Sequence, residues 1–275
     1  MLADINGIKM YYEEKGTGTP LVFVHGLGDS GDCWRFQREI FATGFRTITM
    51  DQRGHRRNED GEELITLDHL REDIIALLDY LKIDKAHFVG HSMGSKVLQD
   101  VIAHYPERFL SLTLCSSCAD FGNAAEFLKP RLERIASLTM EELGTAVANA
   151  ACLPDFPERN PEVFAEMKKV FQSNRREPYS QCTAVIGDPR CDHRASLPNI
   201  KVPTLIMVGI EDQTTPVRDS QNLNLLIPGS FLVIIPQAAH MIPVENPQAV
   251  NRALAHFLAA LEPEALRPIL SSLTN

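Results

Sequence analysis

Six short stretches of the chain are dominated by apolar residues and contain no acidic residue, lysine or arginine. They lie at residues 21–24, 47–50, 86–89, 112–114, 205–208 and 232–235. Runs of this length, apolar on both faces, are typical of parallel strands that helices cover on each side. Nearer the start, residues 2–5 and 8–13 flank Asn6-Gly7, a pair that accepts positive φ, so this segment is predicted to form a β-hairpin.

Between the predicted strands, apolar residues recur at steps of three and four. One such stripe consists of Leu67, Leu70, Ile74, Leu77, Leu78 and Leu81, and another of Val250, Leu254, Phe257, Leu258 and Leu261. This spacing places the apolar side chains of each segment on one face of a helix. Strands that alternate with helices imply a mostly parallel sheet with right-handed crossovers, so the predicted fold class is α/β.

One long stretch interrupts this alternation. Residues 121–197 contain helical signals, such as those at 130–138 and 161–172, but no clear strand. Pro198 and Pro203 mark the return to strand-like sequence. We therefore predict a helical insertion between two parts of one sheet.

Composition and charge exclude several classes of protein. The 275 residues are 44% hydrophobic and 23% charged, as in ordinary globular proteins. The formal net charge of −9 would repel a nucleic-acid backbone or an anionic membrane surface, and no apolar run approaches the roughly 20 residues that span a bilayer. The N-terminus lacks a basic segment followed by an apolar one, so we expect a cytoplasmic protein without nucleic-acid or membrane partners.

The six cysteines are too few for a disulfide scaffold in a chain of this length. The spacing Cys115-Ser116-Ser117-Cys118 has no second C-x-x-C to complete a zinc site. We expect buried, reduced thiols and predict neither a metal nor a cofactor.

A serine motif carries the strongest chemical signal. Gly90-His91-Ser92-Met93-Gly94 fits G-x-S-x-G, with a predicted strand directly before it and a helix-compatible segment after it. A serine on such a tight strand-to-helix turn presents its hydroxyl outward. Ser92 is therefore the candidate nucleophile.

A serine hydroxyl needs a base to take its proton and an acid to orient that base. His240 follows one predicted strand and Asp212 another, and both lie at the carboxyl edge of the sheet, where ligand and catalytic groups of open α/β sheets gather. Asp120, after the strand at 112–114, is an alternative acid. Because Ser92 precedes the insertion while Asp212 and His240 follow it, residues 1–120 and 198–275 are predicted to form one core, with 121–197 as its cap.

These motifs together resemble the α/β-hydrolase family over nearly the whole chain. The resemblance rests on His25-Gly26-Leu27-Gly28, Asp51-Gln52-Arg53-Gly54-His55, the serine turn, the Asp212 loop, and His240-Met241 running into Glu245-Asn246-Pro247. It implies an eight-stranded, mostly parallel sheet with helices on both faces and a helical cap after the sixth strand. It also implies Ser92 as nucleophile, His240 as general base and then acid, and Asp212 as the orienting carboxylate.

Acyl transfer builds negative charge on a carbonyl oxygen, which fixed N–H groups stabilise. The backbone N–H of Met93 is one candidate because it opens a helix, where such groups lack intrahelical partners. The resemblance assigns the second donor to Leu27. Gly26 and His91 are predicted next to the substrate, and Trp34 is predicted either to wall the pocket or to lie in the core.

The expected activity is hydrolysis of a carboxylic ester or lactone through an acyl-enzyme, and the group most resembled is that of the enol-lactonases and small esterases, as in 3-oxoadipate enol-lactone hydrolysis. Two alternatives use the same residues: a cofactor-free perhydrolase or haloperoxidase, and a carbon–carbon bond hydrolase. The latter is disfavoured because such enzymes have Asn where this chain has His91. A ligand-binding or signalling module with slow turnover is a non-enzyme alternative.

The expected partner is a small-molecule ester or lactone. The net charge favours neutral substrates, with Arg53, Arg56 and Arg57 as a local exception near the pocket mouth. The sequence leaves the oligomeric state open.

Overall fold

The computed structural model describes residues 1–59, 61, 63–120 and 124–273. Their eight strands are β1 (Leu2–Ile5), β2 (Ile8–Lys15), β3 (Pro20–Val24), β4 (Arg46–Met50), β5 (Ala86–His91), β6 (Phe109–Cys115), β7 (Thr204–Gly209) and β8 (Phe231–Ile235). They form one sheet in the order β1-β2-β4-β3-β5-β6-β7-β8. The pairs β1–β2 and β2–β4 are antiparallel and all the others are parallel. The predicted α/β-hydrolase fold is confirmed.

Helices cover both faces of the sheet. They are α1 (Arg35–Phe41), α2 (Leu67–Tyr80), α3 (Met93–His104), α4 (Ala124–Ser137), α5 (Met140–Ala151), α6 (Phe156–Arg159), α7 (Pro161–Gln172), α8 (Arg176–Ile186), α9 (Val217–Leu226), α10 (Ile242–Glu245), α11 (Pro247–Ala259) and α12 (Pro263–Leu273). No helix among the described residues is both long and apolar enough to cross a membrane.

The apolar strands divide the core into two layers, because successive side chains of a strand point to opposite faces. In β3, Val22 and Val24 belong to the buried layer that also includes α2, α3 and α9, while Leu21 and Phe23 belong to the layer that includes α1, α11 and α12. The predicted stripe of α2 lies in the first layer and that of α11 in the second. Both faces of the central strands are therefore buried, which explains their continuous apolar sequence.

The stretch between β6 and β7 contains α4 to α8 and no strand among its described residues. The predicted helix at 161–172 coincides with α7, and the one at 130–138 falls within and just beyond α4. The predicted start of the cap at residue 121 lies outside the described residues, as do 122 and 123. The division into 1–120, 121–197 and 198–275 stays a prediction.

Candidate active site

Ser92 lies at the turn between β5 and α3, with φ 50° and ψ −114°. A residue with a side chain rarely adopts positive φ, so the backbone is strained at this position. The turn is also tight, because a Cβ on Gly94 would lie 2.4 Å from the carbonyl oxygen of Val24. The chain thus holds the Ser92 side chain at the edge of the sheet, where it lines a cavity.

Ser92, His240 and Asp212 are hydrogen-bonded in series. The Nε2 atom of His240 lies 3.0 Å from Oγ of Ser92, and its Nδ1 atom lies 2.9 Å from Oδ2 of Asp212. Since a carboxylate only accepts, Nδ1 carries the proton in the neutral ring and Nε2 is free to accept from the serine hydroxyl. This tautomer is the one a general base needs.

Asp212 is held as an anion by its own loop. The N–H groups of Thr214 and Thr215 donate to its Oδ1 at 2.8 and 2.9 Å, and the Thr215 hydroxyl donates to Oδ2 at 2.9 Å. Burial raises the pKa of Asp212, but His240 and Thr215 outweigh that effect and hold it at about 2. The carboxylate is therefore ionised at every pH at which the imidazole can act as a base.

The alternative acid, Asp120, contacts a different partner. Its carboxylate lies 3.4 Å from Nε of Arg194. Asp212, by contrast, lies beside His240 and accepts the hydrogen bond from Nδ1 of that ring.

The backbone of His240 is fixed as well as its side chain. Its N–H donates to the carbonyl oxygen of Ala151 at 2.9 Å, and its own carbonyl oxygen accepts from Nε2 of His91 at 2.8 Å. Burial and the neighbouring His240 lower the pKa of His91 to about 3, so this ring is neutral. His91 lines the cavity, as predicted for a residue next to the substrate, and it also supports His240.

The loop from His25 to Gly28 packs directly against the serine turn. A Cβ on Gly26 would lie 2.9 Å from Nδ1 of His91 and 3.2 Å from Cβ of Ser92. Both Gly26 and Leu27 line the cavity. Met93 is the first residue of α3, so its N–H has no partner within the helix. One predicted oxyanion donor, Leu27, thus belongs to the loop that packs against the serine turn. The other, Met93, directly follows Ser92 in the chain.

Two side chains hold this loop in place. Nε2 of His55 accepts from the N–H of Gly28 at 3.0 Å, and the side-chain amide of Asn174 donates to the Gly28 carbonyl oxygen at 2.6 Å. Asn174 comes from the segment between α7 and α8, so part of the support comes from the inserted helices.

A cavity of about 330 Å³ lies over Ser92. Helix α5 contributes much of its apolar wall through Leu143, Val147, Ala150 and Ala151. Its charged wall residues include Arg131 and Arg134 of α4, which the sequence analysis did not single out. The sequence alone does not show that both arginines lie on the face of α4 that lines the cavity over Ser92. The packing of α4 does.

Trp34 lies in the core rather than in the cavity wall. Its side chain is fully buried, and its ring packs 5.2 Å from that of Phe23 and edge-on to His91 at 6.4 Å, measured between centroids. Of the two roles predicted for Trp34, the structure therefore shows the core role, and its place next to the substrate is corrected.

The expected positive charge of Arg53, Arg56 and Arg57 at the pocket mouth also needs correction. Arg53 forms a buried, two-pronged ion pair with Asp73. The other two arginines also pair with carboxylates. Arg56 forms an ion pair with Asp32, and Arg57 forms ion pairs with Asp32, Asp51 and Glu13. None of the three lines the cavity.

All six cysteines are buried thiols outside any disulfide. Burial raises the pKa of Cys118 to about 12 and that of Cys115 further, so both remain neutral thiols.

Comparisons with known proteins show the family to which the chain belongs. The sequence pattern of the alpha/beta hydrolase fold family matches residues 19–247. The chain is 31% identical over 234 residues to 3-oxoadipate enol-lactonase 2 of Acinetobacter baylyi, covering 85% of this chain and 86% of that protein. It is 24% identical over 270 residues to the bifunctional esterase/perhydrolase DCH of Acinetobacter calcoaceticus, covering 92% and 97%.

A solved structure shows the same likeness in three dimensions. The enol-lactonase from Burkholderia xenovorans LB400 superposes with a TM-score of 0.88 at 28% identity, covering 94% of this chain and 100% of that one. The chain belongs to the α/β-hydrolase family.

Proposed function

We propose that this protein is a serine hydrolase that cleaves a carboxylic ester or lactone through an acyl-enzyme. The observation that carries the proposal is the hydrogen-bonded series Ser92–His240–Asp212 at 3.0 and 2.9 Å, placed at the floor of a cavity. Relatives named as an enol-lactonase and an esterase/perhydrolase support the same reaction class.

The geometry suits each step of acyl transfer. Nε2 of His240 takes the hydroxyl proton as Oγ of Ser92 attacks the substrate carbonyl carbon, and Asp212 stabilises the imidazolium that forms. The N–H groups of Leu27 and Met93 are the proposed donors to the oxyanion, each contributing about 3–4 kcal/mol. The imidazolium then protonates the leaving oxygen. His240 then takes a proton from a water molecule, which attacks and hydrolyses the acyl-enzyme. The imidazolium returns this proton to Oγ of Ser92.

The cavity supports a small or medium substrate with an apolar portion. A volume of about 330 Å³ is at the lower end of ligand sites. Arg131 and Arg134 give its wall positive charge, which favours a substrate that also carries a carboxylate. We propose that residues 121–197 act as the cap that sets this specificity, and that the enzyme works in the cytoplasm on small molecules.

Hydrolysis of p-nitrophenyl acetate and butyrate, and of a panel of lactones, tests the proposal. Wild-type protein should turn over at least one of these, and Ser92→Ala should lose the activity. If wild-type hydrolysis does not exceed that of Ser92→Ala, the proposal fails and a non-catalytic binding role takes its place.

Perhydrolysis is a second candidate, favoured by the relative named as an esterase/perhydrolase. Here hydrogen peroxide replaces water in the second step, so that the acyl-enzyme yields a peracid and free Ser92. Wild-type protein supplied with an ester and hydrogen peroxide should then form peracid in a Ser92-dependent reaction. If only the carboxylic acid forms, hydrolysis alone remains.

A further inference from the structure

Glu245 is a buried carboxylate that receives three backbone hydrogen bonds. Its Oε1 accepts from the N–H of Leu153 at 2.7 Å, and its Oε2 accepts from the N–H groups of Ala239 and Met241 at 3.0 and 3.1 Å. Only 5% of the residue is exposed. No arginine or lysine among the described residues forms an ion pair with it, so these N–H groups provide its main stabilisation.

The three donors come from two separate parts of the chain. Ala239 and Met241 stand immediately on either side of His240, in the loop after β8. Leu153 lies shortly after the end of α5, in the segment inserted between β6 and β7. One carboxylate therefore joins the loop of the proposed base to the end of an inserted helix.

A second set of contacts joins the same two segments. The carbonyl oxygen of Ala151 accepts from the N–H of His240 at 2.9 Å and from that of Met241 at 3.2 Å. Ala151 is the last residue of α5, and the inner face of this helix lines the cavity. A substrate that packs against α5 therefore contacts the helix whose end holds His240.

Burial raises the pKa of Glu245 to about 7, against the effect of its three N–H donors and of His240. Among the described residues, the thiol of Cys152 also interacts with Glu245, and burial raises the pKa of that thiol well above its ordinary value. The carboxylate oxygens accept from three N–H donors, which hold the side chain between the two segments.

We propose that Glu245 is a positioning residue that couples the seating of α5 to the orientation of His240. The inference rests on the proposed function, because it concerns the base of that reaction. Glu245 contacts neither the cavity nor the reacting atoms, and it acts through the backbone on both sides of His240.

The first test compares Glu245→Gln with Gln37→Leu, using p-nitrophenyl butyrate. Gln37 is buried against the same helix α10, where its side-chain amide donates to the carbonyl oxygen of Pro243, and it also donates to Oδ1 of Asn251 in α11. Glu245→Gln should lower kcat on the order of 10²-fold with KM changed less than twofold. Gln37→Leu should keep both kcat and KM.

The second test removes only the donor in the inserted segment. Leu153→Pro lacks the N–H, and Cys152 before it already has the extended backbone that a following proline requires, with φ −115° and ψ 164°. Leu153→Ala loses the same packing but keeps the N–H. Leu153→Pro should lower kcat at least fivefold below Leu153→Ala, and this difference should vanish in the Glu245→Leu background, which has no acceptor at this position.

Two results would overturn the coupling. One is a Glu245→Gln enzyme that loses stability while its kcat and KM match those of Gln37→Leu. The other is an equal kcat for Leu153→Pro and Leu153→Ala. This comparison does not need the Glu245→Gln variant, so it tests the coupling even if that variant does not fold. Absence of Ser92-dependent hydrolysis in the wild type would instead reject the proposed function.

Discussion

Nε2 of His240 meets the hydroxyl of Ser92 at 3.0 Å although 148 positions separate the two residues in the chain. Ser92 stands on the turn that leads from β5 into α3, and His240 follows β8. Parallel strands end at the same edge of the sheet, so loops that are distant in sequence meet there. The chemistry proposed for this protein depends on that convergence.

Asp212 should matter far more than Asp120. Asp212→Asn leaves an amide that favours the wrong tautomer of His240, so kcat should fall by about 10³–10⁴-fold. Asp120→Asn removes the ion pair with Arg194 and should change kcat less than twofold. Steady-state hydrolysis of p-nitrophenyl butyrate by both variants measures this. A larger loss in Asp120→Asn would transfer the role of the acid to Asp120.

The low pKa of Asp212 also predicts how stability depends on pH. A carboxylate whose pKa is lowered by folding, here from 3.8 to about 2, stabilises the folded state above pH 4 and loses that contribution as the pH falls towards 2. The free energy of unfolding of the wild type, relative to Asp212→Asn, should therefore decrease by about 1 kcal/mol between pH 5 and pH 3. Urea unfolding at both pH values measures the difference, and a constant difference would contradict the ionised, hydrogen-bonded Asp212.

Gly26→Ala should impair activity without unfolding the protein. The added Cβ would press on the ring of His91, which is bonded to the His240 backbone, and on Ser92 itself. The loop that carries Leu27 must then move away from the serine, and kcat should fall on the order of 10- to 100-fold. Thermal unfolding and kinetics together check this, since unchanged kcat would show that the loop adapts freely.

Arg131 and Arg134 should select for a carboxylate on the substrate. The p-nitrophenyl monoester of a dicarboxylic acid and a neutral ester of equal length form a matched pair. Arg134→Gln and Arg131→Gln should each lower kcat/KM for the anionic ester about fivefold, as expected for a partly exposed ion pair, and leave the neutral ester within twofold. Arg159→Gln is the control, because Arg159 pairs with Asp155 and does not line the cavity. Equal losses for both esters would argue against a charge-selective wall.

The sequence was sufficient to predict the strands and the strand-to-helix turn that carries Ser92, for physical reasons. Strands buried on both faces need continuous apolar runs, and a serine on a strand-to-helix turn needs small neighbours such as Gly94. Both requirements are local, so they appear as patterns in neighbouring positions.

Features that depend on packing between distant segments could not be predicted in the same way. The bonds from Leu153 to Glu245 and from Asn174 to Gly28 join residues with no shared sequence pattern. The face of α4 that carries Arg131 depends on how the inserted helices dock. Trp34 was undecided for the same reason, because a lone aromatic after a loop fits a pocket wall and a core equally well.

Covalent labelling with a fluorophosphonate tests the central claim most directly. The probe reacts with a serine whose proton a base removes, so intact-mass measurement should show one adduct on the wild type, and peptide mapping should place it on Ser92. Ser92→Ala should show no adduct, and His240→Ala should label at least 100-fold more slowly. Labelling at another residue, or wild-type protein that stays unlabelled, would contradict the account.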